Sequence, residues 1–248
     1  MNRFILPEWS APRNVRAAST LRTGGVSPAP FDTFNLAAHV GDDPANVESN
    51  RGELRRTLQL PAEPYWLSQV HGTRVVRVNE EAGAPSADAA WTDRPGEVCV
   101  VMTADCLPVL FASKDGKRVA VAHAGWRGLS AGVLDATVRA LGVPAAELVT
   151  WLGPALEQAH FEVGGEVRDA FLLRDAGAGA AFAPGRAPGK WRADLFALAK
   201  RRLHAIGIRE VQGGGAGTFG GRSQFFSYRR DGRCGRMATL IWMDLASD

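Results

Sequence analysis

Two apolar runs separated by a short turn constrain this chain more than any other feature. LPVLFA (107–112) and VAVAH (119–123) flank a turn holding Lys114, Asp115, Gly116 and Lys117. Runs with so few polar interruptions predict two neighbouring strands covered on both faces. A turn centred on Asp115 and Gly116 predicts a hairpin of Leu107 to Ser113 with Arg118 to His123, in the register that pairs Pro108 with His123. Side chains alternate along a strand, so Cys106 shares the face of Pro108 and becomes a diagonal neighbour of His123, at the ~7–8 Å spacing that two side chains bridge through a shared ion. A slip of one residue would turn the two apart.

The rest of the chain reads as strands and helices punctuated by Gly and Pro. Strands are expected at Val15 to Leu21, Tyr65 to Val70, Arg74 to Val78, Val98 to Thr103, Leu148 to Leu152, Phe161 to Val163, Phe225 to Arg229 and Met237 to Met243. Helices are expected at Pro44 to Leu58, opened near Asp43, at Leu129 to Leu141, stopped by Gly142, at Glu166 to Leu173, and at Asp194 to Ile206, stopped by Gly207. RTGGVSPAPFDTFNLAAHVGDDP is a long turn-rich loop and therefore a candidate site element, whereas DAGAGAAFAPGRAPGK reads as a flexible surface excursion. With no repeat and no linker, residues 1–248 are expected to form one α/β domain, with central mixed β-sheets packed by helices. A chain of 248 residues buries a core without disulfide or metal staples, so a metal here is expected to be functional.

Composition narrows the partners. Hydrophobic residues make up 46% and charged residues 22%, which excludes disorder as the main state. The 29 basic residues face 26 acidic ones, for a net charge of +3, and no block of five like charges occurs. Nucleic acid is therefore not an expected partner. Cys99, Cys106 and Cys234 are odd in number and scattered, as in a reducing compartment. No signal-type apolar segment and no membrane-length run is present, so the expectation is a cytoplasmic protein that meets a small-molecule substrate and no membrane.

Five histidines are available. His204 reads as a half-exposed helix residue, and His39 as either a loop hydrogen-bonding residue or a site contact. His71 and His123 each end a strand beside a glycine or a glycine-rich turn, with Cys106 between them in sequence. Two imidazoles and one thiolate suit Zn²⁺, and three protein ligands rather than four leave a position for water, as catalytic sites do. Copper also takes this donor set. The bland alternative is a packed Cys106 with two satisfied histidines, the reading that Cys99 in VCVVM receives. Gly125 and Gly128 in HAGWRG allow close backbone approach, and Arg127 precedes a helix whose amides attract anions. The Arg22 turn and the Ser227 to Arg230 segment offer further anion contacts. Asp105 is a candidate proton shuttle or ligand-orienting carboxylate, although alternation points it away from Cys106.

TLRTGGVSPAPFDTFNLAAHVGDDPANVESNR, LSQVHGTRVVRV, MTADCLPVLFA, VAHAGWRG, GPALEQAHFEVGGEV and FFSYRRDGRCGRMATLIWM resemble, in that order, the blocks of the bacterial YfiH-like family, also called multicopper polyphenol oxidase or laccase-domain proteins. The resemblance implies a core similar to the catalytic domain of cytotoxic necrotizing factor toxins, and zinc held by His71, Cys106 and His123. It implies purine nucleoside chemistry: phosphorolysis of adenosine, inosine, guanosine and methylthioadenosine, and deamination of adenosine. It also implies Arg22 and Asn35 as pocket residues. Two segments depart from the pattern: Gly217-Thr218 and His160-Phe161 stand where relatives often carry a cysteine.

Two other chemistries stay open on the residues. A laccase-like, copper-dependent polyphenol oxidation is one, although a four-copper enzyme needs on the order of ten histidines. The other is a thiol amidase acting on a peptidoglycan precursor, with Cys106 as nucleophile and His123 or His71 as base.

Overall fold

The structure, a computed structural model, describes residues 3–245. In chain order its strands are β1 (Phe4–Ile5), β2 (Val15–Thr20), β3 (Val75–Arg77), β4 (Ala89–Thr92), β5 (Val98–Thr103), β6 (Leu107–Ser113), β7 (Val119–Ala124), β8 (Leu148–Leu152), β9 (Glu162–Gly164), β10 (Phe182–Pro184), β11 (Lys190–Ala193), β12 (Glu210–Gly213) and β13 (Met237–Met243). Its α-helices are α1 (Pro44–Leu58), α2 (Trp126–Ala131), α3 (Val133–Leu141), α4 (Gly165–Leu172), α5 (Leu195–Ala205) and α6 (Tyr228–Asp231). The result is the expected α/β fold. A four-stranded antiparallel sheet runs β1-β2-β13-β5, a six-stranded mixed sheet runs β12-β8-β6-β7-β4-β3, and a small sheet runs β10-β11-β9.

The apolar runs of β6 and β7 are explained by cover on both faces. Leu107, Val109, Phe111, Ala120, Ala122 and Ala124 pack under the helices, together with Leu134 of α3 and Leu198 of α5. The alternate residues Leu110, Ala112, Val119 and Val121 meet Cys99, Val101, Ile241 and Met243 of the four-stranded sheet. Pro108 pairs with His123, as the turn predicts. Period-2 alternation therefore puts Cys106 and His123 on the face between the two sheets, at the end where that sandwich opens.

Local chemistry accounts for the helix ends. The Asp43 carboxylate accepts from Ala45 N, Pro44 opens α1, and Gln59 closes it in a left-handed conformation with φ 49°. No helix among the described residues is long and apolar enough to cross a membrane.

Four expectations are corrected. Phe225 to Arg229 is not a strand: Phe225 and Phe226 are both buried, and Ser227 caps α6 by accepting from Arg230 N. The helix expected from Leu129 starts at Trp126 and breaks into α2 and α3 at Gly132, which sits at φ 103°. Tyr65 to Val70 makes only isolated bridges, Tyr65 to Cys99 and Ser68 to Ser86. The supposed surface excursion holds a 3-10 helix, Ala176–Ala181, followed by the β10-β11 hairpin, because Phe182 and Ala193 are buried against the main core. Strands β4 and β12 were not expected, since each is only four residues long, AAWT and EVQG, too short to show a clear alternation.

Candidate active site and metal centre

Where the sandwich opens, one nitrogen from each of His71 and His123 and the sulfur of Cys106 lie within 4.8 Å of one another. The hairpin register predicts the proximity of Cys106 and His123, and the His71 turn adds the third donor. His123 is the last residue but one of β7 and is buried, Cys106 precedes β6 and is half-buried, and His71 projects from a turn at φ 61°. Cys106 Sγ is 3.8 Å from His71 Nε2. That separation matches the roughly 3.5–3.8 Å between two ligands of one tetrahedral Zn²⁺, given bonds of about 2.0 and 2.3 Å.

Asp88, which was not foreseen, organises the cluster. Fully buried just before β4, it accepts from His123 Nδ1 at 2.8 Å, His71 N at 2.8 Å and Gly72 N at 2.6 Å. Its bond to Nδ1 leaves His123 Nε2 for the cluster. Burial pushes the Asp88 carboxyl up, but the bonds from His123, Gly72 and His71 outweigh it, and the group ionises below its ordinary value. The only sequence signal for Asp88 is a lone acidic residue between alanines, which carries no periodicity.

Glycines make room for the cluster. A Cβ at Gly125 would lie 2.9 Å from His71 Cδ2 and 3.0 Å from Cys106 Sγ, and one at Gly128 would lie 2.8 Å from the Gly72 carbonyl oxygen. The close approach expected of both positions is therefore present. Burial opposes ionisation of the Cys106 thiol, but the His123 charge and bonds from both imidazoles pull it down from 9.0 to about 6. Desolvation likewise opposes protonation of His123, and the Cys106 thiolate and Asp88 raise its pKa above the ordinary value. Without metal, the pair is a thiolate beside an imidazolium. The donor set, its spacing and the fixed tautomer suit one metal ion.

The cluster opens on a cleft of about 480 Å³ whose lining includes Trp126, Phe161, Tyr228, Arg229, Arg236 and His39. His39 is thus on the cleft wall, and burial, with the nearby charges of Arg236 and Arg51, lowers its pKa from the ordinary value. Asp105 also reaches the cleft, at φ 91°, with its carboxylate turned away from Cys106: Oδ1 accepts from Thr218 Oγ1 at 2.7 Å and Oδ2 from Arg229 N at 2.6 Å. The other expected residues lie elsewhere. Arg127 is exposed, its guanidinium over the Trp126 ring. Arg22 lines a separate cleft, where it bonds Asp32. Asn35 is fully buried and accepts from Arg236 N at 3.0 Å, so it touches the cleft through that residue. His160 stacks on Phe219, outside the cluster. Arg236 was not foreseen from the sequence, because nothing in CGRMA distinguishes it from other arginines.

Residues 16–244 match the family model described as multi-copper polyphenol oxidoreductase laccase. A purine nucleoside phosphorylase of Pseudomonas aeruginosa is 54% identical over 98% of this chain and 99% of its own length. The purine nucleoside phosphorylase YfiH of Escherichia coli is 49% identical over 98% of this chain and its whole length. Among solved structures, a Neisseria meningitidis protein superposes with a TM-score of 0.95 at 47% identity, covering 98% of this chain and 100% of that one. YfiH from Bacillus licheniformis superposes with a TM-score of 0.87 at 28% identity, covering 98% of this chain and all of its own.

Proposed function

For a chain that belongs to the YfiH-like, laccase-domain family, we propose purine nucleoside phosphorolysis, with deamination of adenosine as a second reaction, at a zinc centre held by His71, Cys106 and His123. The observation that carries the reading is the convergence of those three donors at the head of a cleft lined by aromatic rings and guanidinium groups. The names of the relatives supply the substrate class.

A divalent ion bound there supplies a concentrated positive charge that polarises substrate oxygen or nitrogen. The protein's own groups do the rest. Trp126, Phe161 and Tyr228 offer apolar faces to a purine and displace water from it. Asp88 keeps the His123 ring from turning. In phosphorolysis a phosphate oxygen forms a bond to the ribose C1′ while the C1′–N9 bond breaks with its electron pair on the base. The hydrogen of hydrogenphosphate ends on N9, so base and ribose 1-phosphate balance the reaction. In deamination, water replaces the amine at C6 and gives inosine and ammonia.

The donor count argues against a four-copper oxidase, since five histidines are too few. One copper ion remains compatible with the set, so metal identity is part of the test. A second reading draws on the Cys106, His123 and Asp88 chain, which has the order of a thiol nucleophile, its base and an orienting carboxylate. Amide hydrolysis would then proceed without metal.

The experiment is to incubate protein loaded with zinc or with copper with adenosine, with and without phosphate, and to identify products by chromatography. Adenine with ribose 1-phosphate, and inosine, are expected from the parent and not from Cys106→Ala. Retained amidase activity in chelator, with loss on thiol alkylation, would favour the second reading.

A further inference from the structure

The cleft carries two guanidiniums, those of Arg229 and Arg236. Arg229 and Arg236 both line it, and among the described residues neither has a carboxylate within ion-pair distance. Asp105 is the acidic residue in the lining, and its two oxygens are taken by Thr218 Oγ1 and by a backbone amide.

Both arginines are built in by the same device. A buried side-chain oxygen holds each backbone: Asp105 Oδ2 accepts from Arg229 N at 2.6 Å, and Asn35 Oδ1 accepts from Arg236 N at 3.0 Å. A pair of carbonyls then clamps each guanidinium through Nη1 alone. Arg229 Nη1 donates to the oxygens of His160 and Glu162, both at 3.1 Å, and Arg236 Nη1 to those of Cys234 at 2.8 Å and Gly235 at 3.0 Å. That anchoring leaves Nε and Nη2 as the parallel donor pair that a phosphate accepts in fork geometry. His39 lines the same cleft and adds a ring nitrogen to it.

We propose that Arg229 and Arg236 form the phosphate subsite of the cleft, with Asp105 and Asn35 as the residues that position them. The subsite shares one cavity with the His71, Cys106 and His123 cluster and rests on the phosphorolysis reading for its role in catalysis. Inorganic phosphate, an oxygen dianion, is the ligand its chemistry fits, because two preorganised forks match the several oxygens of one tetrahedral anion.

The test combines binding and kinetics on the zinc-loaded full chain. Phosphate binding is followed by phosphorus NMR without nucleoside, and KM for phosphate and for inosine are measured separately. Arg229→Gln and Arg236→Gln are each expected to raise KM for phosphate by about 10- to 100-fold, with KM for inosine moving by about threefold or less. Arg236→Lys recovers part of the loss through its charge. Asp105→Asn moves KM for phosphate in the same direction by a smaller factor while zinc content stays unchanged. Arg222→Gln, in the separate cleft, leaves both constants unchanged. Thermal melting identifies any variant that fails to fold. Phosphorolysis with an unchanged KM for phosphate in both folded glutamine variants overturns the subsite and leaves the nucleoside reading standing. Phosphate binding lost in those variants, from a parent without phosphorolysis, keeps the subsite and overturns the reading. A folded, zinc-loaded parent that binds no phosphate overturns the subsite.

Discussion

The Asp88 carboxylate lies 2.8 Å from His123 Nδ1 and, through the same Oδ1, 2.8 Å from the backbone nitrogen of His71. One buried group thus sets the ring of one candidate ligand and the turn that presents the other. Asp88→Asn is expected to weaken zinc binding by about 10- to 100-fold, the range seen when a partner of a ligating histidine is removed. Competition with a chromogenic chelator measures it, and an unchanged affinity would contradict the orienting role.

The same carboxylate gives the metal-free protein an acid-sensitive term. Although burial raises its pKa, hydrogen bonds lower it below the ordinary 3.8. A depressed carboxylate contributes stability that is full above the unfolded value and is lost as pH falls through the folded value. The melting temperature of the parent should therefore fall below about pH 4 more steeply than that of Asp88→Asn. Parallel profiles would show that Asp88 contributes no such linkage.

Thiol reactivity follows from the balance at Cys106. Burial works against its thiolate, yet His123 and His71 bring the pKa to about 6, whereas burial pushes Cys99 and Cys234 upward. Iodoacetamide is expected to modify Cys106 alone, with a rate midpoint near pH 6 in metal-free protein, and zinc should protect it. Mass spectrometry reads the site, and a midpoint near pH 9 or modification of Cys99 would refute the assignment.

Gly125 separates steric from folding effects. Its φ of −64° is open to any residue, so Gly125→Ala meets only the 2.9 and 3.0 Å contacts with His71 and Cys106. Zinc affinity should drop at least tenfold, with a stability loss of about 1–2 kcal/mol. Full metal content in this variant would mean that the cluster tolerates a displaced Cys106.

The centre of the fold and part of its site were legible because they depend on short-range order. The Asp115-Gly116 turn and the alternation of β6 and β7 are enough to pair Pro108 with His123 and to bring Cys106 onto the same face. Asp88 was not legible, since it reaches His123 from 35 residues away, from the residue before a four-residue strand whose place is set by its pairing with β3 and β7. Arg229 was legible only as part of a segment offering anion contacts, and Arg236 not at all, since what sets the two apart is the cleft they share in space. Misreading Phe225 to Arg229 as a strand had a related cause: two aromatic residues in succession mimic a buried strand, and the Ser227 cap decides otherwise.

The most direct measurement is a zinc titration of metal-free protein in inosine and phosphate, following ribose 1-phosphate. The account predicts no product without metal, a linear rise, and a plateau at one ion per chain that Cys106→Ala does not show. Product formed at full rate in chelator, or none from a folded and zinc-saturated parent, would contradict it.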